Sequence, residues 1–211
     1  MHNYIIIEGP LGVGKTSLAL MLAEKMDGET LLEETEENPF LVKFYQNPKK
    51  YGFQTQIFFL LRRYQRIVEM AQMGLFKRVI ISDYLFDKDR IFARSNLDND
   101  QFWLYEQLFQ LLRKRVTTPD LVIFLQATTE VLMERIRKRD KKYERGITFK
   151  YLDEINKAFN DFFFHYSDSS LLVVNASKID FVHVPGDFED LVEQIKKMKT
   201  GTQYYIPMSS R

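Results

Sequence analysis

The chain has 211 residues, which at roughly 150 residues per domain leaves room for one domain, and 45% hydrophobic with 28% charged residues excludes a disordered or collagenous chain. Lys plus Arg number 30 against 29 Asp plus Glu, so the net charge of +1 offers no whole-molecule field for nucleic acid or an anionic membrane. With no cysteine, disulfide scaffolds, thiolate zinc sites and Cys nucleophiles are excluded; no apolar run approaches the roughly 18 residues of a membrane span, and Met1 to Tyr4 runs into a strand pattern without the basic n-region and long h-region of a secretory signal, so a cytoplasmic location is expected.

Tyr4 to Ile7 is a short apolar run, followed by a Gly-rich turn and helical spacing over residues 17–26. Further strand-like runs occupy 30–33, 79–82, 121–126 and 171–174, apolar on both faces as buried parallel strands are. Between them, residues 51–73, 100–114, 129–138, 149–166 and 187–199 carry helical patterns, with Asp100 and Asp187 at expected N-caps. The alternation predicts an α/β fold: a doubly wound, five-stranded parallel sheet with helices on both faces, binding ligands at the carboxyl ends of its strands. A single domain over 1–199 is expected, with an aperiodic C-terminal tail at 200–211. The dense charge run after Lys138 marks a short helical lid at about 138–148. The 14% aromatic share could fill a core or line a cleft for a flat ligand.

Gly9-Pro10-Leu11-Gly12-Val13-Gly14-Lys15-Thr16 matches G-x-x-x-x-G-K-S/T between a strand pattern and a helix pattern, the context a phosphate-binding P-loop requires. Its backbone N–H groups and the helix start that includes Ser17 would cradle the phosphates of ATP, Lys15 would reach the β and γ phosphates, and the Thr16 hydroxyl would ligate Mg²⁺. No Asn-Lys-x-Asp guanine element is present, since Asn156-Lys157 is followed by Ala158-Phe159. The short chain with one late charged hairpin points to a small-molecule kinase whose lid closes over ATP.

Several strings then carry a resemblance. Glu33-Glu34-Thr35-Glu36-Glu37-Asn38-Pro39, Lys43-Phe44-Tyr45 with Pro48, Phe53, Gln56 and Arg63, Ile91-Phe92-Ala93, and Arg135-Ile136-Arg137-Lys138-Arg139 continuing to Glu144 and Ile147 are similar to segments of the deoxynucleoside kinase family, especially its bacterial deoxyadenosine and deoxyguanosine kinase branch. The resemblance runs from the P-loop to Phe188. It implies a P-loop kinase that phosphorylates the 5′-hydroxyl of a purine deoxynucleoside, deoxyguanosine or deoxyadenosine, with ATP in nucleotide salvage, acting as a homodimer. It also implies Tyr45 and Glu144 at the sugar 3′-hydroxyl, with the Tyr ring leaving little room for a 2′-hydroxyl, and Asp187 with Phe188 beside ATP.

An acid at the crevice beyond the second strand is the expected general base; Glu33 and Glu34 would point to opposite faces, and the resemblance through Asn38-Pro39 selects Glu33. Gln56 can donate and accept at once, which suits a purine edge, and Arg63 lies two turns along the same helix face, near the base or bracing the site. Phe53, Phe59 and Phe86 are candidates to sandwich the base. Asp83 follows the third strand and is a candidate Mg²⁺ ligand. Many relatives carry Glu-Arg-Ser or Asp-Arg-Ser there, whereas this chain reads Ser82-Asp83-Tyr84, so the arginine is missing. Counting back from Ile91, Asp83 takes that arginine's position unless the turn is one residue shorter, and Lys88 takes that of a base-reading aspartate, where a cation would favour the guanine O6. In the lid, Arg135, Arg139 and Lys141 are expected to clamp the transferring phosphoryl group. The competing readings are a thymidylate or other nucleoside monophosphate kinase, and a non-catalytic P-loop nucleotide-binding module.

Overall fold

In β1 (Tyr4–Glu8) every residue is buried, and successive side chains enter two different cores. Ile5 and Ile7 join the layer containing Leu18, Leu22, Leu132, Ile136 and Leu191, while Tyr4 and Ile6 join the layer containing Leu60, Ile67, Phe109, Phe159 and Phe163. This period-two division is why the strand reads as uninterrupted apolar sequence. The computed structural model describes residues 2–72 and 78–207.

After β1 come α1 (Lys15–Met26), β2 (Glu29–Leu31), α2 (Leu41–Gln46), α3 (Pro48–Gln72), β3 (Ile80–Ser82), α4 (Lys88–Asn96) and α5 (Asn99–Arg113). β4 (Leu121–Gln126), α6 (Thr129–Arg139), α7 (Phe149–Phe164), β5 (Ser170–Asn175), α8 (Pro185–Lys197) and β6 (Thr202–Tyr205) complete the chain, with 3-10 turns at Thr35–Glu37 and Lys142–Glu144. The sheet order is β2-β3-β1-β4-β5-β6 and every neighbouring pair is parallel. β1 lies where the order reverses, so the loop leaving it opens into the crevice between diverging connections.

The sheet has six strands, not five. The sixth comes from the stretch read as an aperiodic tail: Val173 and Val174 pair with Tyr204 and Tyr205 in β6, whose residues are largely exposed and so carry little hydrophobic pattern. The second strand ends at Leu31 rather than residue 33, because the Glu33 N–H bonds the Asp83 carboxylate instead of a strand neighbour. The helix read at 51–73 begins earlier, at Pro48, whose missing donor suits a first helical position; Met73 lies outside the described residues. Asp98, not Asp100, caps α5 by accepting from Gln101 N at 2.9 Å. Asp187 sits inside the first turn of α8 and accepts from Asp180 N at 2.8 Å. Two helices have no counterpart in the sequence pattern. α2 is 6 residues long, too short to show a period, and α4 buries Lys88 and Asp89 where an apolar stripe would be.

Most aromatic residues are structural. Phe124 stacks on Phe163 with centroids 4.2 Å apart, and Phe86 stacks on Phe109 at 5.1 Å, which places Phe86 in the core rather than beside a base. Removing residues 200–211 strips β5 of its outer neighbour; a truncation after Lys199 is expected to lower unfolding free energy by about 1–3 kcal/mol in urea titrations.

Candidate active site

The P-loop spans the step from β1 to α1. Gly12 has φ +82, and a Cβ there would lie 2.8 Å from the Leu132 carbonyl oxygen, so the loop packs tightly on α6. Lys15 folds its ammonium over the loop, donating to Gly9 O at 2.8 Å and Pro10 O at 3.2 Å. Burial brings its pKa down to about 8, and the nearby Lys88 ammonium pushes the same way. Glu8, fully buried at the end of β1, accepts from Gly9 N at 2.9 Å and from Leu85 N at 2.8 Å, tying the loop to the segment after β3. Arg135 donates to Val13 O at 3.2 Å and Ala176 O at 2.9 Å. It thus braces the loop against the exit of β5, where the sequence reading expected it to clamp the phosphoryl group.

Asp83 sits immediately after β3. Its Oδ2 accepts from Thr16 Oγ1 at 2.5 Å and its Oδ1 accepts from Glu33 N at 2.8 Å. Position 83 therefore supplies an acid against the P-loop, which corresponds to the shorter turn. A hydroxyl and a carboxylate side by side at the loop are hard oxygen donors, and they fit Mg²⁺ arriving with phosphate oxygens and water.

Of the cavities that Glu33 borders, two reach the P-loop. One, of about 410 Å³, is bounded by Gly14, Lys15, Thr16, Asp83, Arg139 and Lys141. The other, of about 70 Å³, lies between α2, α3 and α4 and is lined among others by Tyr45, Gln56, Phe59, Arg63, Asp89 and Phe92. Lys15 and Tyr45 also border both, so the chambers adjoin at Glu33. The carboxylate of Glu33 is held on both oxygens: Oε1 accepts from Arg63 Nη2, and Oε2 accepts from Lys88 Nζ at 2.8 Å. Arg63 donates its other arm to Asp89 Oδ1, and burial lowers its pKa to about 10. Arg63 is thus the brace rather than a cation at the base. Lys88 is buried with its ammonium on Glu33, which engages the cation that the sequence reading set against a guanine O6; Lys88, Asp89 and Gln56 all line the acceptor cavity.

The lid forms where Asp140, at φ 46, turns the chain out of α6. Arg139 Nε donates to Glu144 Oε2 at 3.1 Å, with a second, shorter contact from Nη2 to Oε1, and Lys141 reaches Glu36 at 3.2 Å. Gly146 lets the lid approach Tyr45, since a Cβ there would meet the Tyr45 Cβ at 2.9 Å. Tyr45 packs edge-on against Phe44 and Tyr151, and burial raises its pKa well above the usual phenol value. On the other side of the P-loop, a cleft of about 800 Å³ is lined by Gly12, Arg135, Arg139, Phe181, His183 and Asp187. Phe188, read as a nucleotide contact, is buried in the core beside Leu191 and Val192 instead.

The structure therefore brings together Lys15, Thr16, Glu33, Tyr45, Asp83, Arg139, Lys141 and Glu144 around one chamber, with Gln56 and Arg63 next door. Sequence reading missed Glu8 and Asp89, and named Glu36 and Phe92 only within the resembling strings, without a role. The signal for Glu8 was a carboxylate ending an otherwise apolar strand, and for Asp89 a charge buried in a helix with an interrupted stripe.

The profile of the deoxynucleoside kinase family, "Deoxynucleoside kinase", matches residues 5–199. The chain is 33% identical over 200 residues to a deoxyguanosine kinase of Bacillus subtilis (strain 168), covering 92% of this chain and 97% of that one. It is 35% identical over 197 residues to a deoxyadenosine kinase of Dictyostelium discoideum, covering 92% and 78%. Among solved structures, deoxyadenosine kinase from M. mycoides with bound dATP superposes with a TM-score of 0.79 at 26% identity, covering 91% of this chain and 98% of that chain.

Placing a methyl at Gly12 meets both the backbone conformation and Leu132. Gly12→Ala is expected to weaken binding of a fluorescent ATP analogue by roughly tenfold or more while leaving the far-ultraviolet circular dichroism of the protein unchanged.

Proposed function

The chain belongs to the deoxynucleoside kinase family and phosphorylates deoxynucleosides; from that premise we propose that it transfers the γ-phosphoryl of ATP to the 5′-hydroxyl of a purine deoxynucleoside, with Glu33 as general base. The observation that carries this reading is the position of Glu33 in the shared wall of the phosphate and acceptor chambers.

ATP would lie with its phosphates over the P-loop, Gly9 to Ser17, and its base in the cleft containing Arg135 and Asp187. The Lys15 ammonium would leave the Gly9 and Pro10 carbonyls for the β and γ phosphates. Thr16 and Asp83 are the residues that would hold Mg²⁺, which when bound offsets charge on the phosphates. The acceptor's 5′-hydroxyl gives its proton to Glu33, its oxygen forms a bond to the γ-phosphorus, and the bond to the β–γ bridging oxygen breaks to release ADP. Because this transition state is loose, holding the oxygen in line matters more than the basicity of the carboxylate. Arg139 and Lys141 would neutralise charge on the moving phosphoryl group, while Tyr45 and Glu144 would hold the 3′-hydroxyl. Closure of the lid keeps water from competing for the phosphoryl group.

Purine preference is supported by two acceptors. Gln56 Oε1 and Asp89 Oδ2 are buried without a hydrogen-bond partner among the described residues, and both side chains line the acceptor cavity. A base presenting adjacent N–H groups satisfies them, which the guanine N1–H and N2–H pair does more fully than adenine. Deoxyguanosine is therefore placed ahead of deoxyadenosine. Exposed Trp103, Leu104 and Leu111 form one stripe along α5 and support a homodimer through that face. We place the enzyme in the cytoplasm; among the described residues no helix is long and apolar enough to cross a membrane.

Two measurements check this reading. With ATP and Mg²⁺, turnover is expected to follow the order deoxyguanosine, deoxyadenosine, then the pyrimidine deoxynucleosides, with dTMP and adenosine unused; phosphorylation of dTMP alone would indicate a monophosphate kinase. Glu33→Gln is expected to lower kcat roughly 10²-fold or more with ATP binding retained, and unchanged turnover would remove Glu33 from its role.

A further inference from the structure

Tyr84, which follows Asp83, packs its ring 5.8 Å from the Arg63 guanidinium carbon, and its hydroxyl is buried without a hydrogen-bond partner among the described residues, so position 84 brings no cation to Glu33. The cation comes from elsewhere. Lys88 is the first residue of α4, is 3% exposed, and lies with its ammonium 2.8 Å from Glu33 and 3.9 Å from Glu8. A lysine is disfavoured there twice: the start of a helix carries partial positive charge, and burial strips the ammonium of water. Burial accordingly lowers its pKa to about 8, with Glu8 acting in the opposite sense. A side chain held against both penalties is held by its partners.

We propose that Lys88 is the positioning cation for the Glu33 carboxylate, reaching it from the first turn of α4. This rests on Glu33 being the base. Oε1 of Glu33 is fixed by Arg63, which is anchored in turn by Asp89, and Oε2 is fixed by Lys88. Lys88 is backed by Glu8, whose two oxygens are occupied by the Gly9 and Leu85 amides. The carboxylate is thereby referenced to the P-loop backbone through Lys88 and to the acceptor pocket through Arg63. Removing Lys88 leaves one contact, and the carboxylate can turn away from the line between the 5′-oxygen and the γ-phosphorus.

Lys88→Met and Lys88→Arg, each with kcat, both KM values and the dissociation constant of a fluorescent ATP analogue, test the assignment. The Met protein is expected to lose roughly 10²-fold in kcat with both KM values and analogue binding within about threefold of the parent, and the Arg protein to recover most of that loss. In a Glu33→Gln background the Met change is expected to cost less than about threefold more, because its effect runs through Glu33. A Met protein within threefold of parental kcat, an Arg protein no better than Met, or additive losses in the double variant each overturn the proposal. If the Met protein does not fold, Lys88→Ala, which likewise offers no donor to Glu33, takes its place under the same criteria. Failure here is separable from failure of the base assignment: a Glu33→Gln protein that keeps turnover removes the base, whereas a dead Glu33→Gln protein beside an active Lys88→Met protein removes only Lys88.

Discussion

The carboxylate of Asp83 joins the ends of three neighbouring strands. It takes the Thr16 hydroxyl from the chain leaving β1 and the Glu33 amide from the chain leaving β2, while itself following β3. Parallel strands end at the same side of the sheet, so a single short acid can register the phosphate loop against the proposed base without any long side chain. Neither bond is spare: the amide would otherwise lose its partner at the end of a 3-residue strand, and such a short strand has little ladder of its own to fix the residues beyond its end. The spacing between nucleotide and acceptor is thus a property of the sheet.

Around that joint, charge is laid out in alternation. Glu8, Lys88, Glu33, Arg63 and Asp89 form a buried sequence of opposite signs in which every member touches the next. Breaking such a set by removing one member leaves an uncompensated charge behind, which costs far more than the set contributes when intact. Its value is therefore geometric rather than a source of stability. The ring systems of Phe59 and Tyr84 lie 5.0 and 5.8 Å from the Arg63 guanidinium carbon, adding a face that holds the brace in plane.

Much of this is legible in the amino-acid sequence. The P-loop declares itself by spacing and flanks, and β1, β4 and β5 by runs that are apolar on both faces; the bounds of β4 coincide with its apolar run. Glu33 and Asp83 stand out as acids just beyond strand ends, whereas Tyr45 and Gln56 are singled out only by the resemblance to the family's segments. The features that escape reading depend on contacts between distant segments. β6 gains its identity from pairing with β5, not from its own pattern. The destination of the Lys88 ammonium is set by Glu8 and Glu33, 80 and 55 residues away by position, and by a turn whose length is ambiguous by one residue. Phe86 and Phe188 show the converse: in a chain with 18 Phe, an aromatic near a site is more often packing than contact.

The pair formed by Arg139 and Glu144 unites two groups that the proposed reaction assigns to different ligands, one to the moving phosphoryl and the other to the sugar. While they hold each other, neither is fully available. A sugar that draws Glu144 away frees the arginine for the triphosphate, and a triphosphate that draws Arg139 away frees the acid for the sugar. Thermodynamic reciprocity then makes occupancy of each half of the cleft favour occupancy of the other by the same factor. Each ligand alone would have to part this pair, so ATP would bind, but less tightly without the nucleoside than with it.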